Sequence, residues 1–232
     1  ALILGRTTLL VATVTAGSVA LAVPLAWLTA RTDLPGRRAW AVAGALPLVV
    51  PSYVGAFLAS SALGPRGLLQ QVLASPLGVD RLPDIHGFPG AAITLTLLSY
   101  PYVMLTVRGA LDRMDPALGE SARSLGYGPW GVAARVTLPL LRPSMAAGAV
   151  LVALYTLSDF GAVSLMRYET FTWAIYEQYQ SAFDRSAAAS LALALVALAA
   201  GVLWVEARWR GSMRYYQGGP GAARRQALVP LG

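Results

Sequence analysis

The sequence predicts an all-α protein that folds as a polytopic transmembrane helical bundle of about five spans. Hydrophobic residues make up 56% of the 232 residues and charged residues only 12%, with a mean hydropathy of +0.57. Soluble domains carry roughly 25% charged residues, so this composition is that of a protein in a lipid bilayer. Apolar runs also recur along the chain at about the 20-residue length that a helix needs to cross a bilayer.

The predicted spans are separated by short polar segments and lie near residues 8–30, 39–63, 90–107, 144–166 and 187–205. Prolines such as Pro47 and Pro51 interrupt some of them, and bilayers tolerate such kinks where neighbouring helices satisfy the freed carbonyls. We expect residues 1–210 to form one transmembrane domain. Residues 211–232, rich in Gly and Arg, are expected to form a cytoplasmic tail or a linker.

The loops between the spans predict the orientation. Arginine supplies every formal positive charge, because the chain contains no lysine, and segments 31–38, 108–142 and 208–225 hold three, five and five arginines. Segments 64–89 and 167–186 hold two each. Under the positive-inside rule the first set is cytoplasmic, which puts the N-terminus of this segment outside and its C-terminus inside. Since the arginines follow the spans rather than one soluble face, nucleic acid is not a predicted partner. An external start without a signal segment predicts a missing leading helix.

The two outer segments differ in character. Residues 67–73 form a short amphipathic stretch that is expected to lie in the membrane interface. Segment 167–186 is rich in aromatic side chains, namely Tyr168, Phe171, Trp173, Tyr176, Tyr179 and Phe183. These rings indicate either an interfacial aromatic belt or a docking surface for an external partner.

The polar insert at residues 112–143 is more ordered than a connector needs to be. Asp115-Pro116 predicts a helix start with Asp as N-cap, and Gly126 predicts a left-handed stop. Gly128-Pro129 then starts a second helix that is expected to end near Thr137, before Leu138-Pro139. The sequence therefore predicts a two-helix elbow, here meaning residues 115–137, on the cytoplasmic membrane surface. The alternative is a generic charged loop.

The side chains of this insert suit a docking surface for a soluble partner. Small residues would let one face approach a groove closely, with Glu120 and Arg123 as polar anchors at its edge. The candidate docking residues are Glu120, Ser121, Ala122, Arg123, Ser124, Leu125, Gly126, Val136, Leu138 and Pro139.

This insert resembles the EAA loop of ABC-transporter permeases, which reads Glu-Ala-Ala, three residues, Gly, nine residues, Ile, any residue, Leu-Pro. Glu120, Ala122, Gly126 and Leu138-Pro139 match that pattern, while Ser121 replaces Ala and Val136 replaces Ile. Similarity to the binding-protein-dependent permeases extends through nearly the whole chain. The run Ser158-Asp159-Phe160-Gly161-Ala162-Val163 resembles the ferric-iron branch, which also has thiamine and phosphonate relatives.

The resemblance implies a type I (MetI-like) importer permease in a bacterial inner membrane. It implies three partners: cytoplasmic ATPase subunits on the Glu120 loop, an extracytoplasmic solute-binding protein, and a second permease half or second copy. This chain would be the first half of a two-half permease. It would bind no cofactor itself and would not be an enzyme, with ATP and Mg held by the partner ATPase. The absence of any Gly-x-x-x-x-Gly-Lys sequence agrees with that division of labour.

Asp159 is an acidic residue inside the fourth predicted span. A charge at mid-membrane costs about 2.5–3.5 kcal/mol on insertion scales, so its side chain should face protein or water. It is expected either to line or gate the transport pathway, with Ser158 and Tyr155 as neighbours, or to make a structural bond between helices. An ion-coupled secondary transporter that uses Asp159 as its relay is the main rival, but it leaves the elbow unexplained.

Metal and catalytic sites are not predicted. The chain has no cysteine and a single histidine, His86, which lies beside Asp84 and is expected in a solvent-exposed turn. A membrane-embedded enzyme is disfavoured because no nucleophile and base occur in a recognisable pattern.

Overall fold

The computed structural model describes residues 2–64, 67, 84–180 and 183–212, with side chains as far as residue 208. Every regular element in these residues is helical, which confirms the predicted all-α class. The α-helices are α1 (Leu2–Arg31), α2 (Arg37–Ala45), α3 (Ser52–Leu63), α4 (Phe88–Arg113), α5 (Pro116–Ser124), α6 (Pro129–Val132), α7 (Leu138–Ser158), α8 (Gly161–Leu165), α9 (Phe171–Gln180) and α10 (Arg185–Ser212).

Four of the described helical stretches are long and apolar enough to cross a membrane: Leu2–Arg31, Phe88–Arg113, Pro129–Ser158 and Arg185–Arg208. The core forms where α1, α4 and α7 pack together. Helix α4 is central, because 67% of its 18-residue apolar stretch is buried inside the protein. Helix α10 is peripheral, because only 6% of its corresponding stretch is buried. The outer surface of α10 is thus left to lipid or to another chain.

Small residues let the core helices approach closely. A Cβ atom added to Gly148 of α7 would lie only 2.7 Å from the Cα of Val103 in α4. The hydroxyls of Ser18 in α1 and Ser99 in α4 lie 3.2 Å apart and are buried. Close backbone contact and buried hydroxyl pairs are the usual means of joining helices in lipid, where the hydrophobic effect does not bring them together.

The structure departs from the predicted span at residues 39–63. Helix α2 leads into a 3₁₀ turn at Leu46–Val49, and α3 then leaves at an angle of 105°. Val50 adopts an extended backbone with ψ 117°, because the ring of Pro51 disfavours a helical conformation in the preceding residue. This segment is either a broken span or a re-entrant pair of helices.

The span predicted at residues 144–166 begins and ends earlier than expected. From Pro129 the helix runs through a π-helical turn at Ala133–Thr137 into α7 and stops at Ser158. Leu138-Pro139 therefore does not end the elbow's second helix, which continues into the membrane span. Proline removes one backbone donor and crowds the carbonyl four residues earlier, and a widened π turn is one way to accommodate it.

The contacts place the predicted outer segments together at one end of the bundle. Arg6 near the start of α1 forms an ion pair with Glu169, and the Tyr168 hydroxyl donates to the Arg6 carbonyl over 3.2 Å. At the other end, the Arg31 guanidinium donates to the carbonyl of Leu111, beside the elbow. The amphipathic stretch at 67–73, apart from Gly67, and the tail from residue 213 onward lie outside the described residues.

Candidate functional site

The elbow is built by local capping at both ends of α5. The Asp115 carboxylate accepts a hydrogen bond from the Ala117 amide at 2.9 Å, and Pro116 occupies the first turn. After Ser124 the chain reverses at Gly126, whose φ of 88° lies in the left-handed region. The amide of Tyr127 then donates to the Ala122 carbonyl over 3.2 Å. The predicted cap and stop are both confirmed, and together they fix the position of α5.

Most of the predicted docking residues are accessible. Glu120, Ser121, Arg123 and Ser124 are exposed on α5, and Leu125 follows them with 78% of its surface exposed. The Ser124 hydroxyl donates to the Ser121 carbonyl over 2.8 Å, so these serines form part of one turn.

Ala122 differs from the prediction. It is only 6% exposed and packs toward the protein interior, so it cannot offer a small outer face to a partner. Beyond the turn, Leu138 is exposed, while Val136 and Pro139 are half-buried because they already belong to the helix that enters the bundle.

Two exposed apolar side chains of the elbow were not among the predicted docking residues. Leu118 is 46% exposed and Trp130 is 80% exposed. With Leu125 they add apolar surface to the exposed polar residues of the elbow. The signal available in the sequence was the presence of large apolar residues in an insert that is otherwise polar. Such a mixed surface is typical of interfaces with aromatic contacts.

Aromatic packing attaches the elbow to α1. The rings of Trp27 and Trp130 stack with centroids 6.0 Å apart and planes 26° from parallel. One turn after Trp27, Arg31 donates to the end of α4, the helix that leads directly into the elbow. The Arg135 guanidinium lies 5.0 Å from the Tyr127 ring centroid, which joins the two halves of the elbow. The elbow is therefore connected to α4 and α7 through the chain, and to α1 through side chains.

Asp159 and Tyr155 meet at the N-terminus of α3, whereas Ser158 does not join them. Asp159 is 7% exposed, and the Ser52 side chain lies beside both Asp159 and Tyr155. Tyr155 also packs against Tyr102 of α4, with ring centroids 5.7 Å apart. Ser158 is exposed and donates to the Tyr155 carbonyl within its own helix. A gating or pathway role for these three residues stays a prediction.

Two of the aromatic residues of segment 167–186 form a connected group with Phe160. Phe160, Trp173 and Tyr176 lie with ring centroids 5.0–6.4 Å apart. Phe160 and Tyr176 are 37% and 45% exposed, so the group has an open side. Phe171, by contrast, is buried. Both interpretations of these rings, a membrane belt or a docking surface, stay open.

His86 lies in a turn, as predicted. Its amide donates to the Asp84 carboxylate over 3.0 Å and its ring also contacts that carboxylate, and these bonds to the charged form lower the pKa of Asp84. Within the described ranges, no group of three or more His, Cys, Asp or Glu side chains could hold a metal ion.

Comparison with known families agrees with this architecture. The profile of the family described as binding-protein-dependent transport system inner membrane component matches residues 18–208. The chain therefore belongs to this family of ABC-transporter permeases and is a multi-pass membrane protein.

Two curated relatives show how widely the similarity extends. The Fe(3+)-transport system permease protein FbpB 2 of Haemophilus influenzae is 32% identical over 222 residues, which are 96% of this chain and 40% of that protein. The molybdenum transport system permease protein ModB of Escherichia coli is 34% identical over 180 residues, covering 75% of this chain and 77% of ModB. This chain thus spans less than half the length of the first relative and about three quarters of the second.

A solved structure supports the fold. The bacterial alginate ABC transporter in complex with alginate pentasaccharide-bound periplasmic protein contains a chain that superposes with a TM-score of 0.70 at 17% identity. The match covers 92% of this chain and 78% of that one. At this identity the likeness establishes the shared permease fold.

Proposed function

We propose that this chain is the membrane-spanning part of an ATP-driven importer that carries ferric iron into the cytoplasm. An extracytoplasmic binding protein would deliver the cargo to the end of the bundle that holds Arg6 and Glu169. Cytoplasmic ATPase subunits, with their own ATP and Mg, would dock on the elbow at the other end. A second permease half or a second copy would complete the pathway.

The observation that carries this proposal is the construction of the elbow. Helix α5 is capped by Asp115 and stopped at Gly126, and the helix that follows continues without a break into the span Pro129–Ser158. A push on α5 would therefore pass through one short turn at 125–128 into a continuous helix that enters the membrane, rather than through a long loop. Energy from a soluble partner can be transmitted only through an element that does not deform on contact.

Replacing Glu120 with Ala tests the docking half of the proposal. A hydrogen bond to a charged group contributes about 1.5–3 kcal/mol, so we expect ATPase association to weaken roughly tenfold or more. The matched control is Glu177→Ala in α9, another exposed glutamate at the opposite end of the bundle. Association is measured by co-purification over a range of ATPase concentrations. If Glu120→Ala leaves both ATPase association and uptake unchanged, the docking proposal is wrong.

The choice of ferric iron rests on two features. The alignment to FbpB 2 spans nearly the whole chain, whereas that to ModB spans three quarters of it. In addition, the sequence around Asp159 resembles the ferric-iron branch. Molybdate is the second candidate because ModB has slightly higher identity, and thiamine and phosphonates are further alternatives from the same branch.

Uptake by cells that express the complete transporter distinguishes these cargoes. We expect radiolabelled ferric iron to accumulate in an ATP-dependent manner, and we expect excess unlabelled ferric iron, but not molybdate, thiamine or phosphonate, to compete. Accumulation of labelled molybdate without that of iron would assign the other cargo while leaving the importer proposal intact. Uptake that follows an ion gradient and persists without ATP would instead support the secondary transporter.

The contacts of Asp159 speak against that rival. Its carboxylate already accepts hydrogen bonds from the amides of Ala162 and Val163. A proton relay needs a carboxylate that can exchange partners with water or with another ionisable group. These two partners are backbone amides, which cannot relay a proton onward.

A further inference from the structure

Asp159 is a carboxylate with no role in the docking of an ATPase. In the part of the chain that the structure describes, it is the one charged residue among those classed as buried. It lies between the end of α7 and the start of α8, in an extended conformation with ψ 130°. Burying a carboxylate is costly unless it is hydrogen-bonded, so its partners should explain its presence.

Those partners come from both sides of a helix break. One carboxylate oxygen accepts from the amides of Ala162 and Val163, at 2.9 and 3.3 Å, and so satisfies the free donors of α8. The Thr172 hydroxyl, at the start of α9, donates to the Asp159 carbonyl over 2.7 Å. Side chain and backbone of one residue thereby join α8 and α9 to the end of α7.

The carboxylate also reaches the other interrupted span. Ser52 is the first residue of α3, immediately after the 105° break, and its side chain lies beside both Asp159 and Tyr155. Asp159 therefore lies between the start of α8 and the break that precedes α3.

Backbone contact accompanies these hydrogen bonds. A Cβ atom on Gly161 would lie 2.6 Å from the Ser52 hydroxyl oxygen and 2.9 Å from the Tyr53 amide nitrogen. No side chain fits there without displacing α3. The start of α8 and the start of α3 are thus packed as closely as two backbones allow.

We infer that Asp159 is a positioning residue that fastens α3 to α8, so that these two helices move as one body during transport. The importance of this body for uptake rests on the proposed importer function, whereas the fastening itself does not. The inference assigns Asp159 neither to cargo binding nor to proton transfer. Its carboxylate instead holds the N-terminal ends of α3 and α8 together.

Distances between spin labels test the fastening directly. The chain has no cysteine, so a pair introduced by Phe57→Cys in α3 and Leu165→Cys in α8 provides the only thiols of the chain. Both native side chains are exposed, at 60% and 38%. In the assembled transporter we expect one narrow distance, unchanged between the nucleotide-free and ATP-bound states. Adding Asp159→Ala should broaden this distribution in both states.

A second label pair separates loss of the fastening from loss of the fold. Leu9→Cys in α1 and Leu151→Cys in α7 carry labels within the main bundle, where the native side chains are also exposed. This pair should keep its distance distribution in Asp159→Ala. Equal broadening of both pairs would mean that Asp159 supports the whole fold, and the inference would be overturned. It would equally be overturned if the α3–α8 distance changed with nucleotide in the unaltered protein.

Two further variants give the functional readout. Asp159→Asn keeps the size of the side chain but weakens its bonds to amides, and loss of about one charge-assisted hydrogen bond predicts roughly tenfold lower uptake. Ser190→Ala is the control, because Ser190 in α10 is exposed and its hydroxyl bonds only within its own turn. ATPase association should remain unchanged in both variants. If the unaltered protein binds no ATPase, the importer proposal fails, while the label distances still decide the fastening.

Discussion

Two glycines in the elbow, Gly126 and Gly128, show how single residues determine its shape. Gly126 has φ 88°, a backbone conformation that costs a residue with a side chain about 1–2 kcal/mol. Gly128 has φ −68° and ψ 171°, which any residue adopts. An added Cβ meets no atom within 4 Å at either position. Backbone conformation alone therefore distinguishes them.

Gly126→Ala should loosen the end of α5 and weaken ATPase association by about 1 kcal/mol, or roughly fivefold. Gly126→Asn should lose less, because Asn tolerates the left-handed region better than Ala does. Gly128→Ala is the control and should bind as the unaltered protein does. Titration of the ATPase against each purified variant measures the effect. Equal losses in Gly126→Ala and Gly128→Ala would refute the role given to the left-handed turn.

Gly148 and Gly201 provide a second comparison, this time between helix interiors. A Cβ on Gly148 would meet Val103 and Thr106 of α4, so Gly148→Ala should destabilise the bundle by about 1–3 kcal/mol through overpacking. Gly201 in α10 has open space, and Gly201→Ala should stabilise the helix by about 0.5–1 kcal/mol. The midpoint of thermal unfolding in detergent should thus shift in opposite directions. A shift of the same sign in both would contradict the packing of α7 on α4.

Residue-level prediction succeeded where the rule was local. Asp115 as a cap and Gly126 as a stop depend only on neighbouring residues, and the structure confirms both. The burial of Ala122 and the position of Asp159 beside Ser52 depend on parts of the chain that are distant in sequence. No pattern in a single sequence reports which remote element will pack there.

At the scale of elements, the Trp27–Trp130 stack is the side-chain link between the elbow and α1. Trp130 could support ATP-driven uptake through this link to α1, or through direct contact of its exposed face with an ATPase. A double-mutant cycle with Trp27→Ala and Trp130→Ala separates these roles. We expect each single change to lower ATP-driven uptake by a similar factor, corresponding to about 0.5–1.5 kcal/mol, and the double change to add little. An unaffected Trp27→Ala variant would assign Trp130 to direct contact alone.

The number of membrane spans was predicted better than the positions at which the helices break. Hydropathy is averaged over many residues, so it predicted one span at residues 39–63 and could not resolve the turn at Val50-Pro51. The same averaging hid the break at Asp159. Conversely, Pro139 suggested an end to the elbow, but a π turn at Ala133–Thr137 carries the helix through. Whether a helix breaks or continues at such a residue depends on tertiary contacts, and helix propensity reports only local preferences.

At the scale of the whole molecule, the bundle has two ends of different construction. One end joins Arg6 to Glu169 and carries the aromatic group around Tyr176. The other carries the elbow with its exposed Ser121 and Leu125. Three core helices, α1, α4 and α7, connect the two ends, and α3 lies beside α4. The proposed importer needs two such ends, one for the cargo and one for the ATPase.

Photocrosslinking tests the central claim, docking of an ATPase on the elbow, most directly. A cysteine-reactive photocrosslinker is placed at Ser121→Cys on the elbow or at Tyr179→Cys at the opposite end, since the chain has no other thiol. In membranes that contain the complete transporter, we predict a crosslink to the ATPase from position 121 and not from position 179. A crosslink from position 179 alone, or from neither position while ATP-driven uptake persists, would contradict the account.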